Sequence, residues 1–153
     1  MKKHYPLETL DPDEDCGVMP ENVEELSKAV IGHRIVSAET RSFEYEVYRG
    51  SIGQRTCLVL TLDNGRQVAM SNTSDCCAYT ELNEFFLDPA AVDHVIMGVG
   101  TTDRYSTWHI YADFGDIMRL DVGWSCGNPF YYGYGFDILV KEITDNIAVK
   151  VNG

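Results

Sequence analysis

From Trp108 to Val140 apolar residues fall on every second position in three successive runs, and this period of two commits the last third of the chain to β-strands. Trp108, Ile110, Ala112 and Phe114 form one face, and Met118, Leu120, Val122 and Trp124 a second. Phe130, Tyr132, Tyr134, Phe136, Ile138 and Val140 form a third. Antiparallel neighbours point the same way, so the apolar faces coincide in a meander and the alternate residues share the opposite face. A loop over Gly115–Ile117 pairs Asp113 with Arg119, Tyr111 with Asp121 and His109 with Gly123. A second loop, "SCGNP", then sets Gly123 beside Tyr131, Asp121 beside Gly133 and Arg119 beside Gly135.

Upstream, "ENVEELSKAV" carries Val23, Leu26, Ala29 and Val30 on one helical stripe, with acids at the end where the helix dipole favours them. One short helix is expected there. After Gly32 the pattern turns to strands, "RIVSAET" and "SFEYEVYRG". "TCLVLTLDNGRQVAM" reads as a hairpin in which Asn64-Gly65 supplies two positive-φ residues of a type I′ turn. In "DPAAVDHV", Asp88 and Pro89 suit a short helical turn. The expected fold is α+β: a mostly antiparallel, strongly bent sheet or a small, partly open barrel with one packed helix.

Charge is uneven. The net charge is -12, and Glu8 to Glu25 holds eight acids with no Lys or Arg. Such a block reads as a solvated, partly mobile arm over residues 1–20, followed by one domain over 21–153, a size that buries roughly 70% of the unfolded surface. On that reading, removal of residues 1–19 leaves the fold intact. The missing basic stripe argues against nucleic acid as a partner. No apolar run approaches the ~18 residues of a membrane span, which argues against a membrane partner. The start "MKKHYPLETLDPDED" lacks a signal peptide's apolar stretch. With five cysteines, an odd number, reduced thiols and a cytoplasmic location are expected.

The chemistry-bearing motifs each fall short of a known design. Adjacent Cys76 and Cys77, read on a strand, point to opposite faces and cannot both reach one tetrahedral zinc, so they read as core packing with no bound metal. Aspartates 11, 13 and 15 imitate an EF-hand loop, but Cys16 stands where its glycine belongs and Asn22 where its glutamate belongs. The polar face of the meander holds His109, Tyr111, Asp113, Arg119, Asp121 and Tyr131 around Gly133 and Gly135. No nucleophile motif or phosphate loop accompanies it, so no catalytic residue and no cofactor is assigned. Glycine within strands invites close approach by another chain, and tyrosine gives contact area at low entropic cost.

Together "DCCAYTEL", "TWHIYADFGD", "YYGYGF" and the "LDNG" hairpin resemble an uncharacterised family of small proteins encoded by phages of actinobacteria, over Ile31 to Ile143. The resemblance implies expression inside a bacterial host and supplies no catalytic residues. The expected function is a non-enzymatic phage accessory protein that binds a host protein or a second copy of itself through the Tyr/Gly-rich face. The alternative is a small metal-dependent or acid-base enzyme using His109, Asp113 and Asp121.

Overall fold

A computed structural model describes residues 5–15, 17–48, 50–127 and 133–151. It contains one helix, α1 (Val18–Val30), and ten strands. In chain order the strands are β1 (Ile35–Tyr48), β2 (Ser51–Leu62), β3 (Gln67–Ser71), β4 (Thr73–Asp75), β5 (Ala78–Leu87), β6 (Gly98–Thr102), β7 (Thr107–Ala112), β8 (Gly115–Ser125), β9 (Asp137–Lys141) and β10 (Ala148–Lys150). No helix among the described residues is long and apolar enough to cross a membrane. The class is α+β, dominated by strands.

Two sheets build the molecule. β1, β10, β9, β3 and β2 close into a barrel, in which β1–β10 is a parallel contact and the other pairings are antiparallel. The second sheet is antiparallel in the order β4-β5-β8-β7-β6. The barrel is therefore closed rather than partly open. Phe43, Tyr45, Cys57, Val59, Ala69, Leu139 and Ala148, drawn from all five barrel strands, form one cluster that fills the interior. The alternate residues Leu58, Leu60, Leu62, Val68, Met70 and Ile138 join α1 and the inner face of the second sheet in the main core. Both faces of β2, β3 and β9 are thus covered, which is why "TCLVLTL" is apolar almost throughout.

The expected three-stranded meander is not formed. β8 pairs with β5 and β7, while β9 leaves for the barrel. Between them, residues 133–136 run without a strand partner, and side chains satisfy their backbone: Phe136 N–H donates to Asn22 Oδ1 at 2.8 Å, and Gly135 N–H to Thr80 Oγ1 at 2.6 Å. Tyr134, Phe136 and Ile138 are buried as the alternation implied, but in the layer between the sheets. The first part of the expected third strand, with Tyr131, lies outside the described residues.

The β7–β8 hairpin also differs from its expected register. Ala112 pairs with Gly115, so Asp113 and Phe114 form the turn. A bulge follows, because Ile117 and Met118 are consecutive and both buried, which regular alternation forbids. His109 consequently faces Arg119, and Thr107 faces Asp121; the expected Asp113–Arg119 pair is absent. Phe114 leaves the apolar face and lies half-exposed against His94. The β2–β3 turn is also tighter on one residue only: Gly65 has φ 86° and its N–H donates to Leu62 O, a type I turn closed by a left-handed glycine, not type I′.

In place of a solvated arm, residues 5–15 are docked, and the helix begins at Val18, so the division at residue 20 falls inside it. Asp15 is buried and its carboxylate accepts the N–H groups of Gly17, Val18 and Met19, three donors that a helix start leaves without partners. Tyr134 O–H donates to the same carboxylate. Glu8 accepts from Arg104 N–H at 2.7 Å and Tyr105 N–H at 3.0 Å, and its carbonyl accepts the Tyr105 hydroxyl at 2.7 Å. Glu14 pairs with Arg104, and Leu10 packs on the core.

Glu8→Ala leaves two turn donors without their acceptor. We expect a loss of about 2–3 kcal/mol and a Tm lowered by roughly 4–12 °C in thermal melts. Asp13→Ala, at an exposed position of the same segment, should stay within about 0.5 kcal/mol. Equal melts for the two variants would mean that the segment is not held by Glu8.

Candidate functional site

His109, Tyr111, Arg119 and Asp121 do share the outer face of the second sheet, opposite buried Trp108, Ile110, Met118 and Leu120. That face is divided. Over β6 and β7 it is covered by Tyr5, whose ring stacks on His109 with centroids 4.2 Å apart and meets Tyr111 edge-on at 5.5 Å. Gly100, opposite His109, makes this possible, since a Cβ there would stand 2.5 Å from the Cβ of Tyr5. Over β8 and β5 the face is open, and Arg119, Asp121, Glu84 and Phe86 line a groove of about 240 Å3.

Under Tyr5, His109 is engaged on both nitrogens. Nδ1 lies 2.7 Å from Asp116 Oδ2 and Nε2 lies 2.8 Å from Thr102 Oγ1. The carboxylate accepts only, so Nδ1 carries the proton, and in the neutral ring Nε2 accepts from the Thr102 hydroxyl. Hydroxyl, imidazole and carboxylate thus follow in the order that activates a nucleophile. Access is what the arrangement lacks: Tyr5 covers the ring face and its hydroxyl donates to Asp116. The nearby backbone donors of Arg104 and Tyr105, which an oxyanion would need, already hold Glu8. As it stands the cluster pins the N-terminal segment to the sheet.

The histidine's partners were not the expected ones. Asp113 is exposed in the turn, and Asp121 lies opposite Thr107. Asp116 and Thr102 reach His109 because the two-residue turn at Asp113–Phe114 sets Asp116 opposite Tyr111 and because β6 borders β7. Neither relation shows in residue spacing. Tyr5 and Glu8 were missed for the same reason, as their contacts cross roughly a hundred residues of chain.

Gly133 and Gly135 lie elsewhere, in a cleft of about 410 Å3 between α1, the start of β4 and the β9–β10 end of the barrel. Gly135 is left-handed at φ 91°, a conformation glycine adopts without steric cost. Thr73 Oγ1 donates to its carbonyl at 2.7 Å. The charged residues of the cleft are Glu21, Glu25, Asp75 and Asp137 against Arg55 and Lys150. Asp137 holds both cations, Arg55 Nη1 at 3.2 Å and Lys150 Nζ at 3.0 Å. Among the described residues no cation pairs with Glu21 or Asp75.

The cysteine pair is not core packing. Cys76 and Cys77 are both exposed, at the turn between β4 and β5. No group of three or more His, Cys, Asp or Glu converges among the described residues in a way that would hold a metal ion.

A family model described as a domain of unknown function, DUF7448, matches residues 28–138. The chain belongs to the DUF7448 family. No match is found among curated proteins or among solved structures. The DUF7448 stretch takes in β1 to β8, with His109, Asp116, Thr102 and both turn cysteines, and it stops at the start of β9. Tyr5, Glu8 and Asp15, which dock the N-terminal segment onto the DUF7448 domain, precede it.

Two phenols of this region resist ionisation. Burial, then the hydrogen bond to Asp116, pushes the Tyr5 hydroxyl well above the usual range. Burial, with Glu8 and Asp15 nearby, pushes Tyr105 from 10.0 up to about 12. A phenol whose folded value is raised contributes stability that is complete below its unfolded value and disappears as pH climbs through the folded one. Stability measured by urea unfolding should therefore fall as pH rises from 10 to about 12. Tyr105→Phe should flatten that slope, and an unchanged slope would place the alkaline sensitivity elsewhere.

Proposed function

We propose that this DUF7448 protein is a non-enzymatic binding module that docks a basic segment of a partner protein in the acidic cleft between α1 and the barrel. The observation that carries this reading is the cleft's charge: its two cations are both held by Asp137, while Glu21 and Asp75 stand exposed on a chain of net charge -12. Complementary charge steers encounter and rejects partners of like sign. A second copy carries the same excess of acid, so a different, basic protein suits the cleft better than self-association does. The likeness to phage-encoded proteins supports a host protein as that partner and the bacterial cytoplasm as the place of meeting.

His109 supports this reading by what it cannot do while covered. An acid-base enzyme built on His109, Asp113 and Asp121 needs the three in reach of one substrate, and here they occupy a sealed cluster, a turn and an open groove. Gly133 and Gly135 line this cleft, which supports a part for them in binding there; Arg119 and Asp121 belong to a separate surface.

An arginine-rich peptide titrated calorimetrically should bind the full chain. Affinity should fall as salt rises, since screening acts over roughly 10 Å at 0.1 M. Glu21→Lys and Asp75→Lys, both at exposed positions, should each weaken binding about tenfold, ~1.4 kcal/mol, with an unchanged circular dichroism spectrum. Binding that ignores both reversals would remove the cleft as the site. Sedimentation showing a dimer that Gly133→Arg dissociates would favour the second-copy reading instead.

A further inference from the structure

Asp75 pairs with Ala78, so Cys76 and Cys77 are the two residues of the β4–β5 turn. Both are exposed, and their Sγ atoms lie 3.1 Å apart. Successive side chains on a strand diverge to opposite faces. A two-residue turn ends that alternation, and the two thiols stand together at the hairpin tip. Asp75 Oδ1 accepts the Cys76 N–H at 2.8 Å, which fixes the entry to the turn. A groove of about 420 Å3 runs beside the hairpin and is lined by both cysteines with Asn72, Asp75, Tyr79 and Glu81. A small reagent therefore reaches the sulfurs without moving the chain.

Two ordinary uses of a cysteine pair suit this geometry poorly. A disulfide usually spans Cα atoms roughly 4.4–6.8 Å apart, whereas a trans peptide holds adjacent Cα atoms at about 3.8 Å, so a bond between these two is strained and easily reduced. Structural zinc takes four ligands, and among the described residues no third His, Cys, Asp or Glu joins the pair. Cys57 is buried in the barrel, and the Cys126 thiol faces Asp13 O at 3.6 Å. What two converging thiols satisfy alone is a soft centre that needs few ligands, because thiolate sulfur selects soft metals.

The geometry points to Cys76 and Cys77 as a chelating dithiol site for a soft, thiophilic centre of low coordination number, a trivalent arsenical or monovalent copper. With an organic arsenic(III) oxide the reaction is a condensation. Two S–H bonds break, two As–S bonds form, and the oxygen leaves as water carrying both thiol protons; neither sulfur nor arsenic changes oxidation state. With copper(I) the two thiol protons pass to solvent as the ion takes both thiolates. In either case the second sulfur attaches within the same turn, at high effective concentration, so monothiols compete poorly.

The test is intact-mass analysis of the reduced full chain after treatment with phenylarsine oxide, followed by excess glutathione and then by 2,3-dimercaptopropanol. We expect an adduct with the mass of phenylarsine oxide less one water that survives glutathione and is removed by the dithiol. Cys76→Ser and Cys77→Ser should each abolish the glutathione-resistant adduct, while Cys16→Ser and Cys126→Ser keep it. A parallel titration with copper(I) against a chromophoric copper(I) chelator tells which soft centre the pair prefers. An adduct lost to glutathione in the unmodified chain together with no copper(I) uptake would overturn the site. So would resistance that persists in both Cys76→Ser and Cys77→Ser, or that disappears in Cys126→Ser. Because the turn is exposed, Cys76→Ser and Cys77→Ser should melt like the unmodified chain, so their lost adduct reports ligand loss rather than unfolding.

Discussion

The turn at Asp103, Arg104 and Tyr105 holds three successive non-glycine residues in the left-handed region, at φ 57°, 54° and 61°, a conformation that costs each of them roughly 1–2 kcal/mol. It persists because its polar groups are taken up from several directions. The Glu8 carboxylate accepts two of its N–H groups, and the indoles of Trp108 and Trp124 donate to the carbonyls of Tyr105 and Arg104 at 2.9 Å each. From this anchor the N-terminal segment extends both ways, back to Tyr5 over His109 and forward to Asp15 at the start of α1. The helix position and the closing of the outer face both follow from where Glu8 is held.

The acidic segment shows why composition misled. Eight acids without a cation look like a chain that only water can solvate. Glu8 and Asp15, however, act as acceptors for backbone N–H groups, a role that needs no Lys or Arg nearby and leaves no trace in charge counting. A carboxylate aimed at a helix start or a left-handed turn is satisfied by geometry. Only the fold reveals which of the acids have such targets.

Strand content and side-chain faces were legible, because period-two alternation is a local property. Trp108, Ile110, Leu120 and Ile138 are all buried as that pattern requires. Pairing was legible only within hairpins: β2–β3 and β7–β8 pair as expected, the second in another register, whereas longer-range pairing left no local sign. Alternation cannot distinguish a third meander strand from one that crosses to another sheet, and the continuous apolar face from Tyr134 to Ile138 suits either. The difference rests on Asn22, Thr73 and Thr80, distant side chains that serve the backbone of residues 135–136 as the chain crosses over. Likewise the bulge at Ile117 was visible only as two adjacent apolar residues, and the two-residue turn that sets Asp116 rather than Asp113 beside His109 left no mark on the alternation.

The polar residues chosen for one site therefore divide according to how the structure spends them. His109 and Tyr111 are drawn under Tyr5, where hydrogen bonds and ring contacts hold the N-terminal segment. Arg119 and Asp121 remain on an open strip of the same sheet. Gly133 and Gly135 went with the crossover to the helix side, where glycine admits the close approach of Val18 and Asn22, with side-chain atoms 3.3 to 3.6 Å from where a Gly135 Cβ would stand. Burial needs partners, and a polar group that finds all of them inside the fold has little left to offer a ligand. By that criterion the exposed acids of the α1 cleft and the paired thiols of the β4–β5 turn, like the open strip of Arg119 and Asp121, keep polar groups that the fold does not consume. Neither the cleft nor the turn stood at the centre of the polar face that alternation had marked.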